Sequence, residues 1–383
     1  MDVVVAGAGV GGLALARGLR AVPGVAVRVW EQAPEARTGG AAVTIFSNGA
    51  AALAGLGAPL GELGGRIDTL RFLTSKGPEL MTVDLTVMAR RTGFPVATVP
   101  RDRLIAHLVA GLPSDTVQYG RQVAAVVPHD QGVTVVDGRG DRHEADVLVG
   151  ADGHRSAVRH AILDGAPARF CGWTTWQGLT PIVPEVAYGR TGVCVVGPAG
   201  LCGLMPAGEG LLQWWFDVPD RVGEPTIAES PVAVLRDRFA GYAGPVPAAL
   251  DAIKDADIES FPHVLHEVPD RWGSGAATLL GDAAHVFPPS QAQGANQALE
   301  DAWLLTRALA AGGREIPAVL RRYEAKRAPR VRRVSRMAAR ETTNKEVNPL
   351  VARAARLVPA GVAGRAHTRL IRSFSSVLTD ERI

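Results

Sequence analysis

Three glycines near the start of the chain have the spacing of a nucleotide-binding turn. Residues 7–12 read Gly-Ala-Gly-Val-Gly-Gly, between an apolar segment at 2–6 and a helical one. In such turns Gly7 permits the tight turn, Gly9 lets the backbone approach a pyrophosphate, and Gly12 permits close helix–strand packing. Glu31, which ends the next apolar segment, can bind ribose hydroxyls. The pattern predicts a bound dinucleotide, and Glu31 favours a free 2′-hydroxyl, as in FAD or NAD.

Two further acidic residues follow apolar segments and could contact the same ligand. Asp152 lies in the run Gly-Ala-Asp-Gly at 150–153, where a carboxylate can accept bonds from a nucleotide's sugar or order the pyrophosphate loop. Asp282 follows residues 276–280 and could accept a hydrogen bond from a ribityl hydroxyl. Each could instead be a simple turn or helix cap. We interpret His285 as a packed structural histidine rather than a catalytic base.

A long helix is predicted from about residue 294 to residue 309. Gly294, Ala295 and Asn296 form its start, so their N–H groups and the helix dipole would face a ligand with negative charge. At a flavin they would stabilise the charge that develops at N1 and C2=O on reduction.

The three motifs together resemble those of the class A flavoprotein monooxygenases, the para-hydroxybenzoate hydroxylase family. The order is the same: Gly7 to Glu31, then Asp152-Gly153, then Gly281-Asp282 through Asn296. Arg101, in Pro-Arg-Asp-Arg-Leu, matches a family arginine that reaches FAD; the alternative is a helix-surface arginine. The resemblance covers residues 2 to about 333, and it is more specific for fold and FAD than for the reaction.

Motifs and resemblance together indicate a set of cofactor-binding residues: Gly7, Gly9, Val10, Gly11, Gly12, Glu31, Arg37, Ala42, Arg101, Val123, Asp152, Asp282, Pro289, Gly294, Ala295 and Asn296. The resemblance implies that NADPH or NADH reduces FAD as a transient reductant. It implies that O₂ then forms a flavin C4a-hydroperoxide, which hydroxylates or epoxidises a small molecule. No metal is expected, because the flavin carries the redox chemistry.

The substrate pocket is expected in a tryptophan-rich part of the chain. The candidates for its lining are Trp176, Trp214, Phe216 and Pro288, with ordinary core packing as the alternative. No arginine there stands out as a carboxylate anchor, so we expect an apolar, aromatic or polyene substrate. Tyr188, His263 and His266 are candidate bases by residue type only. Three positions depart from the family pattern: Ala42, Ala292 and Gln177.

The distribution of elements predicts an α/β fold with an α+β insert. A Rossmann-like FAD-binding domain (1–72, 98–170 and 262–315) is interleaved with an antiparallel-sheet substrate domain (73–97 and 171–261). A helical segment, 316–383, completes the chain. The strands expected in the insert, at 192–197, 200–205 and 211–218, are separated by Gly- and Pro-rich turns.

The composition of the chain also restricts its possible functions and location. The three cysteines form no CxxC pair, which excludes a disulfide reductase and favours a reducing, cytoplasmic setting. No signal peptide or transmembrane segment is expected.

Residues 318–383 contain 16 Lys+Arg and 5 Asp+Glu. We interpret this as a solvated, arginine-biased helical face rather than a nucleic-acid or membrane site. A dehydrogenase, another non-oxygenating flavoenzyme or a non-catalytic escort protein remain as alternatives.

Overall fold

The computed structural model describes residues 1–36, 41–163, 166–183, 189–219, 230–312, 315–340 and 348–379. The α-helices within these residues are α1 (Val10–Arg20), α2 (Ser47–Gly55), α3 (Thr86–Thr92), α4 (Arg101–Val109), α5 (Ala157–Ile162), α6 (Pro231–Arg238), α7 (Val246–Ala252), α8 (Asp282–His285), α9 (Gly294–Ala310), α10 (Ile316–Ala338), α11 (Pro349–Arg356) and α12 (Ala360–Ser373). The strands are β1 (Asp2–Ala6), β2 (Ala26–Glu31), β3 (Ala42–Ile45), β4 (Gly65–Ile67), β5 (Thr69–Thr74), β6 (Glu79–Asp84), β7 (Val96–Pro100), β8 (Val117–Tyr119), β9 (Val123–His129), β10 (Gly132–Asp137), β11 (Arg142–Ala145), β12 (Val147–Gly150), β13 (Arg169–Pro181), β14 (Thr191–Gly197), β15 (Gly200–Gly208), β16 (Leu211–Pro219), β17 (Glu259–Leu265) and β18 (Ala277–Leu279).

A parallel sheet in the order β18-β12-β1-β2-β8 brings distant parts of the chain together. The three valines of strand β1, residues 3–5, have no exposed surface, which is typical of a strand buried on both faces. Ala6, Gly150 and Leu279 end the neighbouring strands β1, β12 and β18 at the same edge. The loops that follow these three strands therefore meet, although they are far apart in sequence.

The predicted βαβ start and the predicted long helix are confirmed. Strand β1, helix α1 and strand β2 follow one another in the expected order, and α9 spans Gly294–Ala310. Helix α1 packs on α9, so the first and last nucleotide-binding motifs share one interface. The α/β fold class is confirmed by this arrangement.

Two small antiparallel sheets lie beside the parallel sheet. One has the order β11-β10-β9 and the other the order β3-β7-β4. Strand β15 contacts β4 and β7, so the second small sheet joins the nucleotide-binding part to the inserted sheet.

The insert forms a seven-stranded sheet in the order β17-β13-β16-β15-β14-β5-β6. Strands β14, β15 and β16 form the predicted antiparallel meander. Strand β14 also pairs in parallel with β5, which brings residues 69–84 into the same sheet. Helices α6 and α7 cover one face and enclose a second core, separate from the main one.

The helices after α9 pack both on the nucleotide-binding part and on the inserted sheet. Helix α10 packs on α9, and α12 packs on β6 and α3. No helix of the described residues is long and apolar enough to cross a membrane.

Candidate active site

In the glycine turn between β1 and α1, a side chain would fit at Gly9 but would overlap other atoms at Gly7 and Gly12. Gly7 has a φ of +103°, and a Cβ there would overlap the carbonyl oxygen of Ala151. A Cβ on Gly12 would overlap the carbonyl oxygen of Gly7. By contrast, a Cβ on Gly9 meets no atom within 4 Å, and its φ of −77° suits any residue. The protein itself does not require glycine at position 9, as expected where a ligand approaches the backbone.

Glu31 is held beside this turn by main-chain hydrogen bonds. Its Oε2 accepts a bond from the N–H of Ala8 at 2.8 Å, and its Oε1 accepts one from Ala33 at 2.9 Å. The carboxylate is therefore fixed at the end of β2. Each oxygen keeps a lone pair that could accept a hydrogen bond from a ribose hydroxyl.

Asp152 orders the loop after β12. Its Oδ1 accepts a hydrogen bond from Ser156 Oγ at 2.5 Å, and its Oδ2 accepts one from the N–H of Val158 at 3.2 Å. Burial raises the pKa of Asp152, although these bonds favour the carboxylate. The neighbouring Ala151 is the residue whose carbonyl packs on Gly7. Asp152 thus orders its own loop, which agrees with the turn role left open as an alternative.

Asp282 and the start of α9 lie at the end of β18. The Asp282 side chain is exposed and makes no hydrogen bond or ion pair within the described ranges. Gly294 is the first residue of the 17-residue helix α9, and a Cβ there meets no atom within 4 Å. An unpaired carboxylate and an open helix N-terminus are groups that can serve a polar ligand.

Asn296 fastens β3 to the start of α9. Its Oδ1 accepts a hydrogen bond from the N–H of Phe46 at 2.9 Å. Its Nδ2 donates to the carbonyl oxygens of Thr44 at 2.9 Å and Ala292 at 2.7 Å. The side chain is fully buried, so its amide is committed to the protein rather than to a ligand.

A buried charge network supports α8 and α9 from behind. Asp301 Oδ1 accepts a bond from Arg327 Nε at 2.6 Å; its Oδ2 accepts one from the N–H of Gly281 at 2.9 Å and lies 2.6 Å from His285 Nε2. Burial raises the pKa of Asp301, but Arg327 and His285 outweigh it and hold that pKa below its ordinary value. The structure places His285 in this network, where it positions a loop.

The remaining residues predicted to contact the cofactor differ in their exposure. The N–H of Arg101 donates to the carbonyl oxygen of Ala41 at 3.2 Å, and its guanidinium is exposed, without an ion pair to any described residue. Val10, Gly11, Ala42 and Val123 are buried, Ala295 is half-buried and Pro289 is exposed; Pro288, predicted as a pocket residue, is buried. The candidate Arg37 lies outside the described residues.

The aromatic residues predicted to line a substrate pocket lie in the second core instead. Trp214 and Phe216 have no exposed surface, Trp176 is 8% exposed, and all three pack under α6 and α7. Side chains alternate along a strand, so residues 213, 215 and 217 point to the opposite face. Their burial favours core packing, the alternative to a pocket, because strand register decides which face a side chain occupies and residue type does not.

Gln213 is the residue on that opposite face that sequence analysis missed. Its Nε2 donates to the carbonyl oxygen of Ala42 at 2.7 Å, which brings the inserted sheet to β3. The side chain is 6% exposed, and its Oε1 has no hydrogen-bond partner among the described residues. A buried acceptor without a donor costs about 1–3 kcal/mol, so a ligand donor would be favourable here. The signal was one polar residue in the apolar run Leu-Leu-Gln-Trp-Trp-Phe.

Neither described candidate base is charged at neutral pH. His263 Nε2 donates to Thr175 Oγ1 at 2.6 Å, and that hydroxyl donates to Asp217. Burial lowers the pKa of His263 to about 3. Burial also lowers the pKa of His266, whose Nε2 lies 3.2 Å from the carbonyl oxygen of His154. Tyr188 lies outside the described residues.

Among the residues that the structure describes, one group of side chains has metal-ligand spacing, although no metal was expected. Asp137, Asp141 and His143 offer ligand atoms within 4.8 Å of one another. Asp137 already pairs with Arg121 at 3.1 Å and accepts bonds from the N–H groups of Arg139 and Asp141. These contacts occupy the carboxylate, so the group serves the turn between β10 and β11.

The geometry agrees with a known sequence family. The family described as FAD binding domain matches residues 1–175 and 249–338. The chain belongs to this family, that of the class A flavoprotein monooxygenases. An aurachin C monooxygenase/isomerase from Stigmatella aurantiaca is 33% identical over 336 residues, 86% of each chain. An FAD-dependent urate hydroxylase from Klebsiella pneumoniae subsp. pneumoniae is 34% identical over 344 residues, 87% of each chain.

A solved structure extends the similarity to three dimensions. Klebsiella pneumoniae HpxO complexed with FAD and uric acid has a TM-score of 0.83 at 29% identity, covering 100% of this chain and 95% of that one. The predicted family and cofactor are confirmed: this flavoprotein monooxygenase uses FAD, with NAD(P)H and O₂ as co-substrates. The open glycines 9 and 294 and the unpaired Arg101 and Asp282 fit that cofactor.

Proposed function

We propose that this flavoprotein monooxygenase hydroxylates or epoxidises an apolar aromatic small molecule. The observation that carries the proposal is the meeting of three loops at the ends of β1, β12 and β18, with Gln213 facing the same region from the inserted sheet. Bound groups at such a strand edge lie where parallel α/β sheets place their ligands. The named relatives, a urate hydroxylase and an aurachin C monooxygenase, support oxygenation as the reaction.

FAD is assigned to the groove from the glycine turn to the start of α9. Gly9 would admit the pyrophosphate, and Glu31 would accept from ribose hydroxyls. Arg101 would pair with an anionic part of the cofactor, and Asp282 would accept from the ribityl chain. The N-terminus of α9 at Gly294 and Ala295 would stabilise negative charge on the ring. Val10, Gly11, Ala42, Val123, Asp152, Asn296 and Pro289 complete the predicted set, most of them through packing or loop order.

The substrate is assigned to the face of the inserted sheet that carries Gln213. Leu201, Met205 and Trp215 pack towards the main core on that face, so its surroundings are apolar. One amide acceptor in such a setting selects a ring that carries an N–H or O–H donor. Pro288, buried beside the exposed Pro289, remains a proposed part of the same pocket.

The flavin, when bound, supplies electron transfer from NAD(P)H and the activation of O₂. The protein itself orients the substrate and sets the polarity around the reacting groups. Gln213 orients the substrate, the apolar face excludes water, and α9 provides a preorganised dipole. A neutral His263 can donate its Nε2 proton to Thr175 but is too weak a base to hold a substrate proton at neutral pH.

We also propose a cytoplasmic setting. Cys171, Cys194 and Cys202 are all free thiols. Burial raises the pKa of Cys194 to about 12, so that thiol stays protonated and unreactive. Unpaired cysteines are usual in reducing compartments, which also supply the pyridine nucleotide.

A stopped-flow reduction screen tests the proposal. The holoprotein is mixed with NADPH or NADH, with and without members of an aromatic panel, and the product is analysed after reaction under ¹⁸O₂. The proposal expects at least one aromatic compound that accelerates flavin reduction and gains one labelled oxygen atom. Substrate oxidation without label in the product would identify a dehydrogenase and refute it.

A further inference from the structure

Exposed aliphatic side chains are concentrated in one short stretch near the end of the chain. Leu350 and Leu357 are 77% and 79% exposed, and Val351, Val358 and Val362 are exposed as well. These five residues are called the apolar tip below. Among the described residues the other large apolar side chains of comparable exposure are scattered singly: Val127, Val234 and Phe261. Single exposed apolar residues are ordinary, but a cluster marks a binding surface.

Positive charge surrounds the apolar tip. Residues 348–379 contain five arginines and no aspartate or glutamate. Arg353, Arg365 and Arg369 are exposed and form no ion pair within the described parts of the chain. An apolar cluster flanked by unpaired arginines is the composition of segments that lie in the interface of a membrane, and it differs from the solvated face expected from the sequence of residues 318–383.

The helices that carry the apolar tip are anchored to the rest of the protein. Arg356 Nε donates to the carbonyl oxygen of Glu79 at 2.7 Å, at the start of β6. Gly364 packs so closely on Asp84 that a Cβ would overlap its carbonyl oxygen. The ring of His367 lies 5.4 Å from that of Phe46. The tip is therefore held on a fixed base with its aliphatic side chains directed away from the core.

We propose that the apolar tip docks the enzyme on the surface of an anionic lipid bilayer. The leucine and valine side chains would enter the boundary between headgroups and acyl chains, while the arginines would meet lipid phosphates. A second copy of this chain fits less well, because a two-fold contact would bring together two helical segments, residues 348–379, that contain five arginines each and no aspartate or glutamate. An acidic protein would satisfy the arginines, but it would also need a matching apolar groove for two separate leucines.

Vesicle co-sedimentation of the FAD-loaded protein tests this docking. Vesicles of phosphatidylcholine alone are compared with vesicles that also contain phosphatidylglycerol, over a range of salt concentrations. We expect binding to the anionic vesicles that weakens as salt rises and is much weaker on the neutral ones. Replacing Leu350 and Leu357 together with serine should reduce binding about ten-fold or more. Arg353→Gln and Arg365→Gln should each reduce it about five-fold.

The matched control is the double variant Val127→Ser and Val234→Ser, which removes exposed apolar side chains elsewhere and should bind like the parent. Flavin absorbance and the melting temperature show whether each variant is folded. The proposal is overturned if the parent ignores anionic vesicles, or if the leucine variant binds them equally well. It is also overturned if sedimentation velocity shows a dimer that the leucine variant loses, since the tip would then be a contact between copies.

Discussion

Gly7, Gly9 and Gly12, the three motif glycines of the turn at residues 7–12, should respond differently to the same substitution. Gly9→Ala adds a methyl group where the protein leaves open space and where φ is −77°, so the apoprotein should keep its stability. The methyl would stand in the space assigned to the FAD pyrophosphate. Overpacking by one such group costs about 1–3 kcal/mol, which corresponds to roughly a 5- to 150-fold weaker FAD affinity. Gly9→Val should abolish measurable binding.

Gly7→Ala and Gly12→Ala provide the contrast. At Gly7 the φ of +103° costs about 1–2 kcal/mol for a residue with a Cβ, and the overlap with Ala151 adds to it. At Gly12 the overlap with the Gly7 carbonyl would separate α1 from β1. Both variants should therefore lower the melting temperature of the apoprotein, by several degrees for about 2 kcal/mol.

Thermal unfolding of apoprotein and FAD titration by flavin fluorescence measure the two effects separately. The expected pattern is a loss of affinity without a loss of stability for Gly9 variants, and a loss of stability for the other two. If Gly9→Val retained the parent affinity, the pyrophosphate would not lie at this turn. If Gly9→Ala destabilised the apoprotein as much as Gly7→Ala, the open space at Gly9 would not exist.

Three further outcomes follow from the site. Asp301→Asn should cost about 1.5–3 kcal/mol at pH 7, measured by urea unfolding, because it weakens the charged hydrogen bond to Arg327, which keeps Glu300 at 3.6 Å as its remaining carboxylate. Because the pKa of Asp301 in the folded protein lies below its ordinary value, its carboxylate stabilises the fold above pH ~4, and this stabilisation is lost as the pH falls through the lower pKa. The stability of the variant should therefore depend less on acid pH than that of the parent. An unchanged pH profile would refute this. Ala292 has a φ of +49°, which strains a residue that has a Cβ, so Ala292→Gly should stabilise the protein by about 0.5–1 kcal/mol. A loss of stability would show that the backbone at this position is not strained. Gln213→Leu should raise KM for an accepted aromatic substrate about ten-fold and leave FAD affinity unchanged, whereas weaker FAD binding would place Gln213 in the cofactor site.

Local patterns predicted the cofactor because its contacts are made by short motifs. The glycine turn, Glu31 and the start of α9 each combine a loop with the strand or helix beside it, and sequence shows such units directly. The family match has a related limit. It leaves out residues 176–248, which include most of the inserted sheet, so the residues that define the family lie mainly on the cofactor side.

The substrate side depends on register, which residue type does not show. Trp214 and Gln213 are neighbours in β16, yet one lies in the second core and the other faces β3. A strand whose two faces are both buried has no polar–apolar alternation, so its sequence does not tell which face meets the flavin part.

The sequence by itself determined the nucleotide-binding start, the cofactor and the interleaved order of the parts, since each rests on local motifs. Only the tertiary structure decided which face of the inserted sheet meets β3, that Asn296 and His285 bond to the protein's own framework, and that the side chains of the apolar tip are exposed. These features arise from contacts between residues far apart in the chain, such as Gln213 with Ala42 and Asp301 with Gly281. Folding brings these partners into contact, and the order of residues along the chain does not show which distant residues will meet.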